Sequence, residues 1–137
     1  STIKNNGILA LAGSGSIANS TIIEIQGGGA FDVQSLSTQF VLGDAQTLKA
    51  SGSGTTGLIA TSLGRGFTTS SAGSLFFSAF NGGATAPLTI SGTGGMVLQA
   101  TNQVIVTVSH GGSPLNAGDY KLIAKTNNGF VTGTPTA

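Results

Sequence analysis

Gly52, Gly54 and Gly57 stand in a G-x-G-x-x-G spacing within TLKASGSGTTG (47–57), with Lys49 just ahead of them. Glycines spaced in this way cradle a pyrophosphate where a strand precedes them and a helix follows, with an acid about twenty residues on to take the ribose. No helical pattern follows Gly57, and no Asp or Glu occurs between Asp44 and Asp119. The motif therefore predicts a tight turn, a strand end running into the next segment, and Lys49 an exposed strand residue with no phosphate to meet.

Other chemistry is equally thin. The sole histidine, His110, sits in the turn-like SHGGS with Asp119 nearby in sequence, but the chain has no G-x-S-x-G elbow to supply a nucleophile. Four acids are present, Glu24, Asp32, Asp44 and Asp119, far apart in sequence. Stacked coils would be needed to bring Glu24 and Asp32 onto one outer face as a glycosidase pair. As the polar members of alternating strands (IEI, FDV), both are expected to be solvated. Cysteine is absent and no repeated Asp pattern supplies calcium ligands. No catalytic, cofactor-binding or metal-binding residue is expected, and the chain does not read as an enzyme.

Composition narrows the partners. Charged residues make up 7%, against about 25% in an ordinary soluble domain. The five cations (Lys4, Lys49, Arg65, Lys121, Lys125) are scattered and the formal net charge is +1. A nucleic-acid partner is excluded, because it requires a basic footprint to displace counterions from phosphates. No apolar run approaches the length of about 18 residues needed to cross a bilayer as a helix, so this segment is not expected to insert into a membrane. The lack of cysteine fits a bacterial extracellular protein that relies on packing alone.

The elements that would position any site are short strands. Apolar runs recur between Gly, Ser and Asn turns: ILAL (8–11), TIIEI (21–25), AFDV (30–33), QFVL (39–42), GLIA (57–60), SLFFSAF (74–80), PLTI (87–90), MVLQA (96–100), VIVTV (104–108), YKLIA (120–124) and FVT (130–132). The best helical stretch, 57–63, is short and broken by Gly64 and Gly66. Strands this short, spaced near ten residues apart in the first half, predict one all-β domain folded as a parallel β-helix; a β-sandwich is the alternative. Residues 1–73 read as repeat-like coils. Residues 74–137 carry longer apolar runs that suit an end segment, or a capping hairpin or small sheet.

The segment NNGILALAGSGSIANSTIIEIQGGGAFDVQSLSTQFVLGDAQTLKASGSGTTG (5–57) resembles the autotransporter-associated β-strand repeat proteins of bacteria, through GSIANS, FDV, FVL and QTLKASGSGTTG; Ala50 departs from the family's usual glycine. PLTISGTGG and LNAGDYKLIAKTNNGFVTGTP resemble that family's end segment. The resemblance implies a secreted, surface-associated β-helical protein without catalytic residues.

Phe76 and Phe77 face opposite ways in a strand, so one of them must leave the core. Together with Phe67 and Phe80 they are the candidate self-association residues, an apolar patch on which a second subunit would dock. A β-helix also leaves unpaired backbone at its end coils, and no charged or helical cap is evident in the sequence. The expected function is an extracellular structural protein forming a fibre or surface layer as a homo-polymer, by stacking or exchange of end strands. The alternative is an adhesin module binding surface glycans, for which Tyr120 is the only tyrosine and tryptophan is absent. A polysaccharide-degrading β-helix is a third, lesser expectation.

Overall fold

The computed structural model describes residues 2–108, 113–126 and 128–135, and for Thr2 and Asn5 the backbone alone. The chain winds in coils through three sheets, the first coil contributing a strand to two of them and each later coil a strand to all three. The first coil contributes β1 (Thr2–Asn5) and β2 (Ile8–Gly13). The second contributes β3 (Ile22–Ile25), β4 (Ala30–Leu36) and β5 (Phe40–Leu42), and the third β6 (Thr47–Ala50), β7 (Gly57–Ala60) and β8 (Phe67–Thr69). The fourth coil follows with β9 (Ser74–Phe77), β10 (Leu88–Ser91) and β11 (Met96–Val97), and the fifth with β12 (Gln103–Val106), β13 (Ile123–Lys125) and β14 (Val131–Thr132).

Each strand pairs with its counterpart one coil away, never with the next strand in sequence, and every ladder is parallel. The sheets read β1-β3-β6-β9-β12, β2-β4-β7-β10-β13 and β5-β8-β11-β14. This is a right angle away from hairpin logic: it is the parallel β-helix that short strands and glycine-rich turns predict, not the sandwich.

Strands of three or four residues suffice because each needs only two inward side chains. In the first sheet Ile23, Leu48 and Leu75 align in one buried row and Ile25, Ala50 and Phe77 in the next. Ala50 fits between two larger neighbours, so the row stays filled without overpacking. Phe31, Ile59 and Ile90 form the corresponding row of the second sheet, and Phe40, Phe67 and Met96 that of the third. Where second and third sheets converge, Phe31 meets Phe40 edge-on at 5.0 Å between ring centroids, and Phe67 edge-on at 6.5 Å. Edge-to-face pairs of this kind add to the burial of the rings.

The corner between the third and first sheets is tied by side-chain amides. Gln46, buried immediately before β6, accepts the Gly43 N–H on Oε1 (2.8 Å) and donates from Nε2 to the Ile17 and Ser20 carbonyls of the coil before (3.0 and 2.7 Å). Asn102, buried immediately before β12, repeats the device. Its Oδ1 accepts from the Gln99 N–H (2.7 Å) and the Thr69 hydroxyl, and its Nδ2 donates to the Ser70 and Gly73 carbonyls (2.7 and 2.8 Å). Each amide thus satisfies turn carbonyls that would otherwise be buried without partners.

The repeat has no fixed period because the corners grow. In the first sheet equivalent positions are Thr2, Ile22, Thr47, Ser74 and Gln103, steps of 20, 25, 27 and 29 residues. In the third they are Phe40, Phe67, Met96 and Val131, steps of 27, 29 and 35. The extra residues lie outside the ladders, in turns that run over the surface at little cost in stability. The second half is no separate cap: β9 to β14 join the same three sheets, and no hairpin occurs among the described strands. SLFFSAF supplies only the four residues of β9 before the chain turns away.

Phe31 touches two sheets at once, so Phe31→Ala should destabilise the protein by about 3–5 kcal/mol. Equilibrium denaturant unfolding measures it; a loss below about 1 kcal/mol would mean that the aromatic junction is not a keystone of the core.

Candidate functional site

The outer face of the first sheet gathers the chain's only ion pair among the described residues. In-register stacking places Lys4, Glu24, Lys49, Phe76 and Ile105 in one outward row. Lys49 Nζ lies 3.3 Å from Glu24 Oε2, and the Ser51 hydroxyl donates to Glu24 Oε1 at 2.7 Å. Lys49 also sits over the Phe76 ring, 5.9 Å from its centroid, a cation–π contact. Neighbours above and below cover the carboxylate, and Glu24 is only 4% exposed.

This overturns two expectations. Glu24 is not a solvated outer residue, and Lys49 is half-buried with a carboxylate partner. Burial opposes ionisation of Glu24, but the Ser51 hydroxyl, the Lys49 ammonium and the charge of Lys4 outweigh it and hold the pKa below its usual value of 4.5. The pairing was not visible in sequence because the two residues are 25 positions apart, and only the coil length sets them side by side.

The acids do not assemble into chemistry. Glu24 lies on β3 of the first sheet, Asp32 on β4 of the second, and Asp44 in the corner after β5. Asp32 accepts the Gln34 N–H within β4 (2.9 Å), beside the register shift against β2, and Asp44 accepts the Ala72 N–H (3.3 Å). Asp119 is exposed. His110 lies outside the described residues. Among the described residues, no three His, Cys, Asp or Glu side chains cluster as metal ligands.

The G-x-G-x-x-G stretch is the corner between β6 and β7. A Cβ on Gly52 would stand 2.1 Å from the Thr55 carbonyl oxygen and 3.2 Å from the Gly27 Cα in the coil before, so two glycine corners pack backbone to backbone. Gly54 takes φ +73°, where side chains are strained. At Gly52 the close approach of a ligand is blocked by the Thr55 carbonyl and by Gly27 of the coil before.

The four candidate self-association residues part company. Phe67, Phe77 and Phe80 are buried, and only Phe76 reaches the surface, where it lies half-buried beside Lys49. The alternation of Phe76 and Phe77 was legible in the sequence. Phe80 is covered by Tyr120, edge-on at 5.8 Å. These two rings line a cleft of about 350 Å³ with Asn81, Leu115 and Asn116, and the Tyr120 hydroxyl donates to the Asn116 carbonyl (2.6 Å).

Two adjacent β-branched residues are exposed on β12 of the last coil. Val106 occupies the position filled by buried Ile25, Ala50 and Phe77 in the three coils before it, yet it is 39% exposed, and its neighbour Ile105 is 38% exposed. The second sheet ends differently. Its inward row Leu9, Phe31, Ile59, Ile90 closes on Lys125, whose ammonium donates to the Gly129 carbonyl at 3.2 Å. A lysine at that register position is a charged block of the kind that protects sheet edges, and only the register reveals it.

Comparison of the chain with protein-family models, with curated proteins and with solved structures finds no match. No helix among the described residues is long and apolar enough to cross a membrane.

Because Glu24 has a depressed folded pKa, its stabilisation is complete above the unfolded carboxylate value and is lost as pH falls through the folded one. Urea unfolding across acidic pH should therefore show the wild type losing stability below about pH 4.5 more steeply than Glu24→Gln. Parallel profiles for the two proteins would remove Glu24 from this role.

Proposed function

We propose that the protein is a structural, extracellular β-helical module that associates with copies of itself end to end, building a fibre or surface layer. The observation that carries the reading is the apolar row of the first sheet, which runs through the core and emerges open at Val106 beside Ile105. Backbone groups on the outer edge of β12 have no partner strand among the described residues, and such a parallel edge beside exposed β-branched residues is a template for another strand. The outward neighbour Phe76 extends the apolar surface along the sheet face. Lys125 blunts the second sheet, which directs stacking to the first.

The resemblance of residues 5–57 to autotransporter-associated repeats supports placement at a bacterial surface, as does a low-charge, cysteine-free composition. No cofactor, metal or catalytic residue enters this reading. A glycan-binding adhesin is the second reading, favoured by the Tyr120 cleft, where an aromatic ring stands beside Asn81 and Asn116. Binding on a glycan array that is lost in Tyr120→Ala would establish it.

Self-association is tested by light scattering coupled to size exclusion, together with electron microscopy. The wild type should form elongated oligomers whose fraction rises with concentration, and Val106→Lys should shift the population strongly toward monomer. A wild type that stays monomeric at all concentrations would sink the proposal.

A further inference from the structure

The sequence holds three Asn-Gly pairs, Asn6-Gly7, Asn81-Gly82 and Asn128-Gly129. An asparagine followed by glycine is open to attack by the glycine's own backbone nitrogen, since no Cβ obstructs the approach. The three pairs sit in different surroundings. Gly129 is buried and its N–H donates to the Thr126 carbonyl at 2.9 Å, so its nitrogen is committed to the corner before β14. Gly7 is anchored to the second sheet, its carbonyl accepting the Ala30 N–H at 2.7 Å. Asn81 is exposed, in the turn between β9 and β10. Its Oδ1 accepts the Gly83 N–H at 2.9 Å, and the Gly82 N–H has no partner among the described residues.

We infer that Asn81 is a site of spontaneous modification, a deamidation hot spot built into the fourth coil. The Gly83 N–H polarises the Asn81 side-chain carbonyl and stabilises the negative charge that gathers on Oδ1 during attack, as an oxyanion-hole donor does. The Gly82 nitrogen, whose N–H has no partner among the described residues, supplies the nucleophile. A bond forms between that nitrogen and Asn81 Cγ while the Cγ–Nδ2 bond breaks, and ammonia leaves with the proton from Gly82. The cyclic imide then takes up one water. Opening at Cγ gives aspartate, and opening at the main-chain carbonyl gives isoaspartate, with the backbone running through the side-chain methylene. Nothing is oxidised or reduced, and no co-reactant besides water is required.

The product places a carboxylate at the cleft lined by Phe80, Leu115, Asn116 and Tyr120. It also removes one unit from a formal net charge of +1. In a chain so poor in charge, this single event alters the electrostatics of that face. The inference is independent of self-association.

The test is to hold the intact folded chain in mildly alkaline buffer made with heavy-oxygen water and to map the label by peptide mass spectrometry. Asn81 should take up label several-fold faster than Asn6 and Asn128, with isoaspartate among its products, and in urea the three rates should converge. Gly83→Pro, which removes the N–H donor, should slow residue 81 and leave residue 128 unchanged. Label at Asn6 or Asn128 as fast as at Asn81 in the folded chain would overturn the inference, and an unaltered rate at residue 81 in the proline variant would overturn the role given to Gly83.

Discussion

In-register parallel stacking is the constraint on which everything else in this molecule rests. A parallel ladder repeats the same inward position in every coil, so each row must be filled by side chains that pack on themselves. The rows Ile23-Leu48-Leu75 and Phe31-Ile59-Ile90 meet that demand with aliphatic and aromatic residues alone. Stability then comes from contacts between neighbouring coils, as in other solenoids, and each coil depends on the next for its burial. The corner amides of Gln46 and Asn102 serve the same end, because each reaches carbonyls of the coil before it.

The same constraint governs the outer face. Residues that are strangers in sequence become permanent neighbours, and the carboxylate of Glu24 is covered by Lys49 and Ser51 for no other reason than register. It also decides how the two sheets end. Where the inward row closes on Lys125, the edge is protected; where it closes on Val104 and Val106, apolar surface stays open. The proposed end-to-end association follows from this asymmetry between sheets rather than from a cluster of phenylalanines.

Much of the fold was legible in the sequence, because two-residue alternation and glycine punctuation act locally. GLIA coincides with β7, and TIIEI, QFVL and PLTI fall within a residue of β3, β5 and β10. The strand Phe67–Thr69 was not legible: with one large apolar residue in FTT, its identity comes from stacking on Phe40 and Met96. The first strand, TIKN, was missed for the same reason. The candidate site was less legible, since it depends on coil length. Phe67, Phe77 and Phe80 are core residues; the alternation in SLFF sets Phe76 and Phe77 on opposite faces, but only the stacking of coils decides which of them turns inward. The turn reading of Gly52 and Gly54 followed from the missing helix and acid alone, and close approach of the neighbouring coil supplies its physical cause.

The register itself is the claim most directly open to measurement, and a chain without cysteine suits it well. Thr47 and Ser74 are paired neighbours on β6 and β9, their hydroxyl oxygens 2.8 Å apart. Paired strands hold Cα atoms within the range a disulfide spans. The account predicts that Thr47→Cys combined with Ser74→Cys forms an intramolecular disulfide on mild oxidation, in the monomer and without loss of fold. A pair that stays reduced, or that links only between chains, would contradict the stacked coil.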